Sequence, residues 1–153
     1  MDAKIINPFL EAAVNVISTM AMIKPEAGKP FLKQDATAMG DVSGIIGITG
    51  AAQGSMSISF DTSCIAAICS NMLGMAVDGI NDDVRDAVGE MTNMICGDAR
   101  RRLESDGISL QSCTPTVVGG TNHSITHIHT GPCLAVPFTT PSGNFVIEVA
   151  FND

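Results

Sequence analysis

Residues 81–103, NDDVRDAVGEMTNMICGDARRRL, leave few alternatives to a long amphipathic helix. Asn81, Asp82 and Asp83 cap and charge-match a helix N-terminus, and Arg100, Arg101 and Arg102 suit its C-terminal end. At about 100° per residue, Val84, Ala87, Val88, Met91, Met94 and Ile95 form one apolar stripe, while Asp86, Glu90, Asn93, Gly97 and Arg100 fall opposite. Asp98 lands on the apolar side, so the stripe is expected to be clean only as far as Ile95. Such a helix buries one face and displays the other, and the rest of the chain must supply the surface it is buried against.

The displayed face carries chemistry. Glu90 and Asn93, at i and i+3, are neighbours, with Asp86 one turn before Glu90 and Gly97 one turn after Asn93. Taken alone, an E-x-x-N on a helix is an ordinary solvated face. Neither group is a strong nucleophile, because a carboxamide is neutral and a surface carboxylate is weakly basic. A carboxamide can, however, both donate to and accept from a water and so aim its lone pair at an electrophile. Phosphoryl transfer uses water-orienting groups in this way, since positioning and charge stabilisation supply most of its catalysis.

Before this helix, Asn7-Pro8 reads as the capped start of a first helix, which the spacing of Phe9, Leu10, Ala13, Val14, Ile17, Met20 and Ala21 carries to about Ile23. Its polar side holds Glu11 and Asn15, four apart rather than three, and these are given no catalytic role. Residues 24–33, with two prolines and a glycine, read as a surface connection. A glycine-broken strand follows over 37–49, then a turn over 50–54, then the strictly alternating 55–60, for which one buried and one polar face are expected. Asp61 caps a short helix that Gly74 stops.

After the central helix, 108–118 reads as a strand carrying Pro115, with further strands at 123–130 and 133–138. Residues 139–144 form a hairpin turn, and Phe145, Ile147, Val149 and Phe151 alternate to the end. The halves form a weak internal repeat: a long helix, a strand, a turn closed by Gly54 or Gly143, and an alternating strand ending in Phe60-Asp61 or Phe151-Asn152. The fold class expected is α+β, a pseudo-symmetric α-β-β repeat with two long helices on one face of an antiparallel sheet. The alternating segments 55–60 and 145–151 would pair across a two-fold axis if they lay at uncovered edges.

A length of 153 residues fits a single domain, 1–153, and 45% hydrophobic with 16% charged residues fits a globular chain. The beginning MDAKIINPFLE has no signal-peptide pattern and no run approaches a membrane span, so a cytoplasmic protein without a membrane partner is expected. A net charge of −8 and a single short arginine run disfavour nucleic acid. Five cysteines, an odd number without a C-x-x-C pair, are expected as reduced thiols, with Cys64 and Cys96 as buried small hydrophobes. His123, His127 and His129 fall within seven residues, but the H-x-H lacks the glutamate a cupin-like site would want shortly after it, and no metal site is assigned. There is no G-x-S-x-G, Walker loop or dinucleotide fingerprint.

The run D-A-V-G-E-M-T-N, followed by Pro115, resembles the D/S-x-x-x-E-x-x-N…P signature of the CheC/CheX/FliY chemotaxis phosphatases, and a single motif on the second long helix is most similar to the CheX type. The resemblance implies hydrolysis of the phosphoaspartate of a CheY-like receiver domain in two-component signalling. In that reaction Asn93 would orient the attacking water and Glu90 would pair with the receiver's active-site lysine. Asp86 and Gly97 would lie at the contact rim. The chain would need no cofactor of its own, Mg2+ being expected in the partner receiver, and a homodimer joined through its sheets is implied. The alternative is a non-catalytic module that binds a receiver or a flagellar switch component. A third, a small metal-dependent enzyme using the three histidines, would be revived by stoichiometric metal in purified protein.

Overall fold

The computed structural model describes residues 3–33, 37–120, 123–125 and 132–152. Helix α1 spans Ala3–Ala21, and two short strands, β1 (Glu26–Ala27) and β2 (Phe31–Leu32), follow it. The hairpin of β3 (Val42–Gly50) and β4 (Gly54–Phe60) leads into α2 (Thr62–Leu73) and α3 (Asp82–Ser105). Strands β5 (Leu110–Ser112) and β6 (Thr116–Gly119) precede a second hairpin, β7 (Cys133–Thr140) and β8 (Gly143–Phe151). The helices pack against one antiparallel sheet of order β1-β7-β8-β4-β3-β5, with β2 also on β7 and β6 also on β3. The α+β class and the α-β-β repeat are therefore those expected. β4 and β8 pair about a midpoint at Ser57 and Glu148, each is flanked by its own hairpin partner, and α1 packs on α3 above them.

This central position overturns two expectations. The segments 55–60 and 145–151 are not edges, since their hydrogen-bonding groups are spent on each other and on β3 and β7. Nor is the serine face of β4 solvated: Ser43, Ser55, Ser57, Ser59 and Glu148 are all buried. Period-two alternation reports which residues share a face, and chain folded over the second face decides whether water reaches it. Here Ser43 Oγ lies 2.6 Å from Ser59 Oγ and 2.6 Å from His123 Nε2, and Ala38 N–H donates to the His123 carbonyl. Lys33 Nζ pairs with Glu148 Oε2 at 2.8 Å, which supplies the counter-charge a buried carboxylate requires. His127 and His129 lie outside the described residues.

The first helix begins five residues before Pro8, not at Asn7-Pro8, and it ends at Ala21 rather than Ile23. Proline inside a helix forfeits one backbone bond, at a cost of about 3 kcal/mol. Burial of Ile6, Pro8 and Phe9 on the core side offsets it and holds the first turns in register with the rest. The long strand expected over 108–118 is divided into β5 and β6 by Cys113–Pro115, because proline cannot donate to the ladder on β3. The surface connection at 24–33 is mostly exposed as expected, although Pro25 and the Lys33 side chain are buried and β1 and β2 add to the β7 edge. The caps were legible. Asp61 accepts from Cys64 N–H at 2.7 Å, Gly74 closes α2 at φ 67°, and Asn81 accepts from Val84 N–H at 2.9 Å.

The buried face of α3 runs past Ile95 through Cys96 and Ala99 to Leu103. It passes Asp98, whose side chain is only 8% exposed, because that carboxylate is fully engaged at the edge. Arg101 and Arg102 from α3 and Asn15 Nδ2 from α1 all donate to it, and Arg102 also reaches Glu11 of α1 at 3.2 Å. Burial pushes the Asp98 carboxyl up, but these hydrogen bonds and the Arg102 charge outweigh it and hold the group below its usual 3.8. Burial raises the thiols of Cys64 and Cys96 to about 11, in keeping with their place in the core.

At its middle, α3 sits on β3 with Thr92 above Gly44. Thr92 is fully buried, its hydroxyl donates to the Val88 carbonyl at 2.7 Å, and a Cβ on Gly44 would overlap that hydroxyl oxygen. Gly44→Ala is therefore expected to destabilise the protein by on the order of 1–3 kcal/mol in urea titrations. Thr92→Ala in the same chain should restore most of the loss, giving a coupling energy well above 0.5 kcal/mol in magnitude. For Asp98, the depressed folded-state value means that its contribution is complete above pH 3.8 and lost as pH falls through the lower folded value. Melting temperatures between pH 6 and pH 3 should accordingly fall less steeply in Asp98→Asn than in wild type.

Candidate functional site

The outward face of α3 divides into polar groups that the fold consumes and polar groups that it leaves alone. Asn81, Thr92, Asp98, Arg100, Arg101 and Arg102 are engaged within the chain; Arg100, for example, donates to the Leu110 carbonyl and to Ser112 Oγ, both at 3.0 Å. Among the described residues, the exposed Asp82, Asp83 and Glu104 toward the helix ends are unbonded as well; between them, Arg85, Asp86, Glu90 and Asn93 have no hydrogen-bonding or ionic partner, and all four are exposed. A side chain held on a 24-residue helix but not bonded to it keeps its donors and acceptors for something outside the molecule.

These four groups share a site. Arg85, Asp86, Gly89, Glu90, Asn93 and Met94 of α3 line an open concavity of about 450 Å³ with Pro115 and with Val117 of β6. Gly89 lets the helix close on β6, since a Cβ there would already be 3.3 Å from Val117 Cγ2. Pro115, in the break between β5 and β6, forms the floor on the strand side. The sequence-predicted Asp86, Glu90, Asn93 and Pro115 are thus brought together. The arrangement has the geometry to accept a convex group carrying a water and an electrophile: a carboxamide to orient the water, a carboxylate to pair with a cation, and an approach unobstructed by bulk.

Gly97 falls elsewhere. It opens onto a neighbouring groove of about 310 Å³ between α1 and α3, with Asn15, Val16, Thr19, Met20, Asp98 and Arg101. Met94 borders both concavities, and a Cβ at Gly97 would meet nothing. Sequence reasoning passed over Arg85, Met94 and Val117. Arg85 alone carried a signal: a cation in the first turns of a helix opposes the macrodipole, so helix stability does not account for it.

The repeat gives α1 a corresponding concavity, about 520 Å³, lined by Leu10, Glu11, Val14, Asn15, Ser18, Ala27, Arg102 and Phe138. Its chemistry is not the same. Three residues after Glu11 stands Val14, Glu11 is paired to Arg102, and the Asn15 carboxamide donates to Asp98 at 3.3 Å. Glu11 and Asn15 thus fasten α1 to α3.

The profile of the family described as chemotaxis phosphatase CheX matches residues 42–139. The CheY-P phosphatase CheX of Thermotoga maritima is 31% identical over 121 residues, 78% of this chain and 78% of that protein. A CheC-like superfamily protein from Shewanella sp. PV-4 superposes with a TM-score of 0.94 at 42% identity, over 100% of both chains. The CheX–CheY–BeF3–Mg2+ complex from Borrelia burgdorferi matches with a TM-score of 0.82 at 28% identity, over 97% of each chain.

Proposed function

The chain belongs to the CheX family of chemotaxis phosphatases, and on that premise we propose that it hydrolyses the phosphoaspartate of a CheY-like receiver domain through Glu90 and Asn93. The observation that carries this reading is that the two side chains are exposed, lack any partner among the described residues and open into one concavity with Asp86 and Pro115. The curated relative acts on CheY-P, and the Borrelia burgdorferi relative forms a complex with CheY.

In the proposed reaction, α3 presents Asn93 to the receiver's phosphorylation site. Its amide donates to or accepts from the attacking water and aligns it with the phosphorus, opposite the aspartyl oxygen that leaves. Glu90 accepts a hydrogen bond from the receiver's lysine and fixes the docking register. Asp86 flanks the contact. Gly97, which lies in the α1–α3 groove, leaves room for partner backbone. Mg2+ belongs to the receiver, as the Mg2+ in the complex of the relative with CheY supports. The whole chain acts as one cytoplasmic domain, and a homodimer would form through the short outer strands, where Phe31 and Leu32 of β2 are exposed. No described helix is long and apolar enough to cross a membrane.

Phosphate release from a phosphorylated receiver tests the reading. Asn93→Ala is expected to lose roughly 10²-fold, on the order of 2.7 kcal/mol of transition-state stabilisation, with receiver binding retained. Glu90→Ala should weaken both binding and turnover. Binding without turnover by the wild type would instead establish the non-catalytic docking module. Sedimentation of the purified chain at micromolar concentration is expected to give twice the monomer mass, and a monomer would remove the dimer from the reading.

A further inference from the structure

We infer that Arg85 is the cation that recognises the partner, meeting a carboxylate on the receiver surface beside the phosphorylation site rather than the phosphoryl group itself; this inference rests on the function proposed above. Every other arginine of the chain is spent internally. Arg100 is bonded to Leu110 and Ser112, Arg101 to Asp98, and Arg102 to Asp98 and Glu11. Among the described residues Arg85 has no such partner, although Asp82 precedes it by one turn and Asp86 is adjacent. Among the described residues it is also the only cation lining the concavity that holds Glu90 and Asn93, on a chain whose net charge is −8.

The fold provides a seat for it. The guanidinium lies over Gly119 at the end of β6, where a Cβ would come within 2.8 Å of Nη2 and 3.2 Å of Cζ. A glycine there lets the side chain lie against the strand, which lowers the entropy lost when its planar fork engages an oxyanion.

Helix geometry then selects which oxyanion. Arg85 precedes Asn93 by eight residues, or about 12 Å along the axis. With the Asn93 amide at the attacking water and the Arg85 guanidinium seated over Gly119, the Arg85 fork is directed beside the phosphorus rather than onto it. It reaches a neighbouring acidic side chain, for which a fixed guanidinium gives bidentate pairing. Such a contact steers association and sets partner choice without altering the chemical step.

The test combines turnover and binding for wild type, Arg85→Glu, Arg85→Lys and Asn93→Ala. Phosphate release is measured on a phosphorylated CheY-like receiver, and affinity on the same receiver activated with beryllofluoride and Mg2+, each at about 20 mM and about 500 mM salt. Arg85→Glu is expected to raise KM and Kd by roughly tenfold or more at low salt with kcat unchanged. The gap should narrow at high salt, and Arg85→Lys should retain most of the affinity. Arg85→Glu equal to wild type at both salts, while Asn93→Ala loses turnover, would overturn the inference and leave the phosphatase reading standing. A fall in kcat with KM unchanged and no salt dependence would also overturn it, placing Arg85 in the chemistry. Salt-dependent loss of binding in Arg85→Glu, where wild type binds without turnover, would sustain the inference and remove the phosphatase reading. Failure of wild type to bind or turn over any receiver would remove both.

Discussion

The seat of α3 on the sheet depends on Thr92 standing over Gly44. Glu90 and Asn93 flank Thr92 on the same helix, so the contact that fixes how deeply α3 sinks also fixes how far they project. A second glycine contact, Gly89 against Val117, sets the tilt toward β6. Substitutions at either glycine would lift the helix by fractions of an ångström, and the water positioning proposed for Asn93 is sensitive on that scale. Two residues without side chains thus govern a site whose chemistry belongs to other residues.

The proposed site also shows how unbonded polar groups can be kept available to a partner. Within α3, Thr92, Asp98, Arg100, Arg101, Arg102 and Ser105 are bonded through their side chains, and of the polar residues that are not, Arg85, Asp86, Glu90 and Asn93 are gathered at one concavity. Desolvating groups that already have internal partners would break existing bonds, whereas the unbonded ones exchange water for partner. The exposed rim can therefore be covered where a partner's groups match its charges, and the buried ties beneath it keep its geometry.

Much of this was legible in the sequence where local chemistry decides the outcome. The caps at Asp61, Gly74 and Asn81 stand where expected, and the E-x-x-N geometry brought Glu90 and Asn93 to one face with Asp86. What failed depended on tertiary cover. The serines of β4 look solvent-facing by alternation and are buried under chain that contributes Lys33, Ala38 and His123. Pro8 reads as a helix start by propensity, yet core contacts of Ile6 and Phe9 extend the helix before it. Gly97 shares the helix face with Asn93, but α1 turns that part of the face into a separate groove. Arg85 carried only the signal of a cation set against the helix macrodipole, and what marks it further, the absence of a bond among the described residues, is visible only once the other arginines are placed.

The unequal use of the two long helices has a consequence for counting. A duplicated fold offers two equivalent outer faces, and a chain that kept both would saturate with two partners. Here Arg102 and Asp98 reach across and occupy Glu11 and Asn15, so the second face has been converted from a surface into a fastening. If the proposed function holds, each copy of the chain offers one such site, and any doubling of valency would come from assembling copies rather than from the internal repeat.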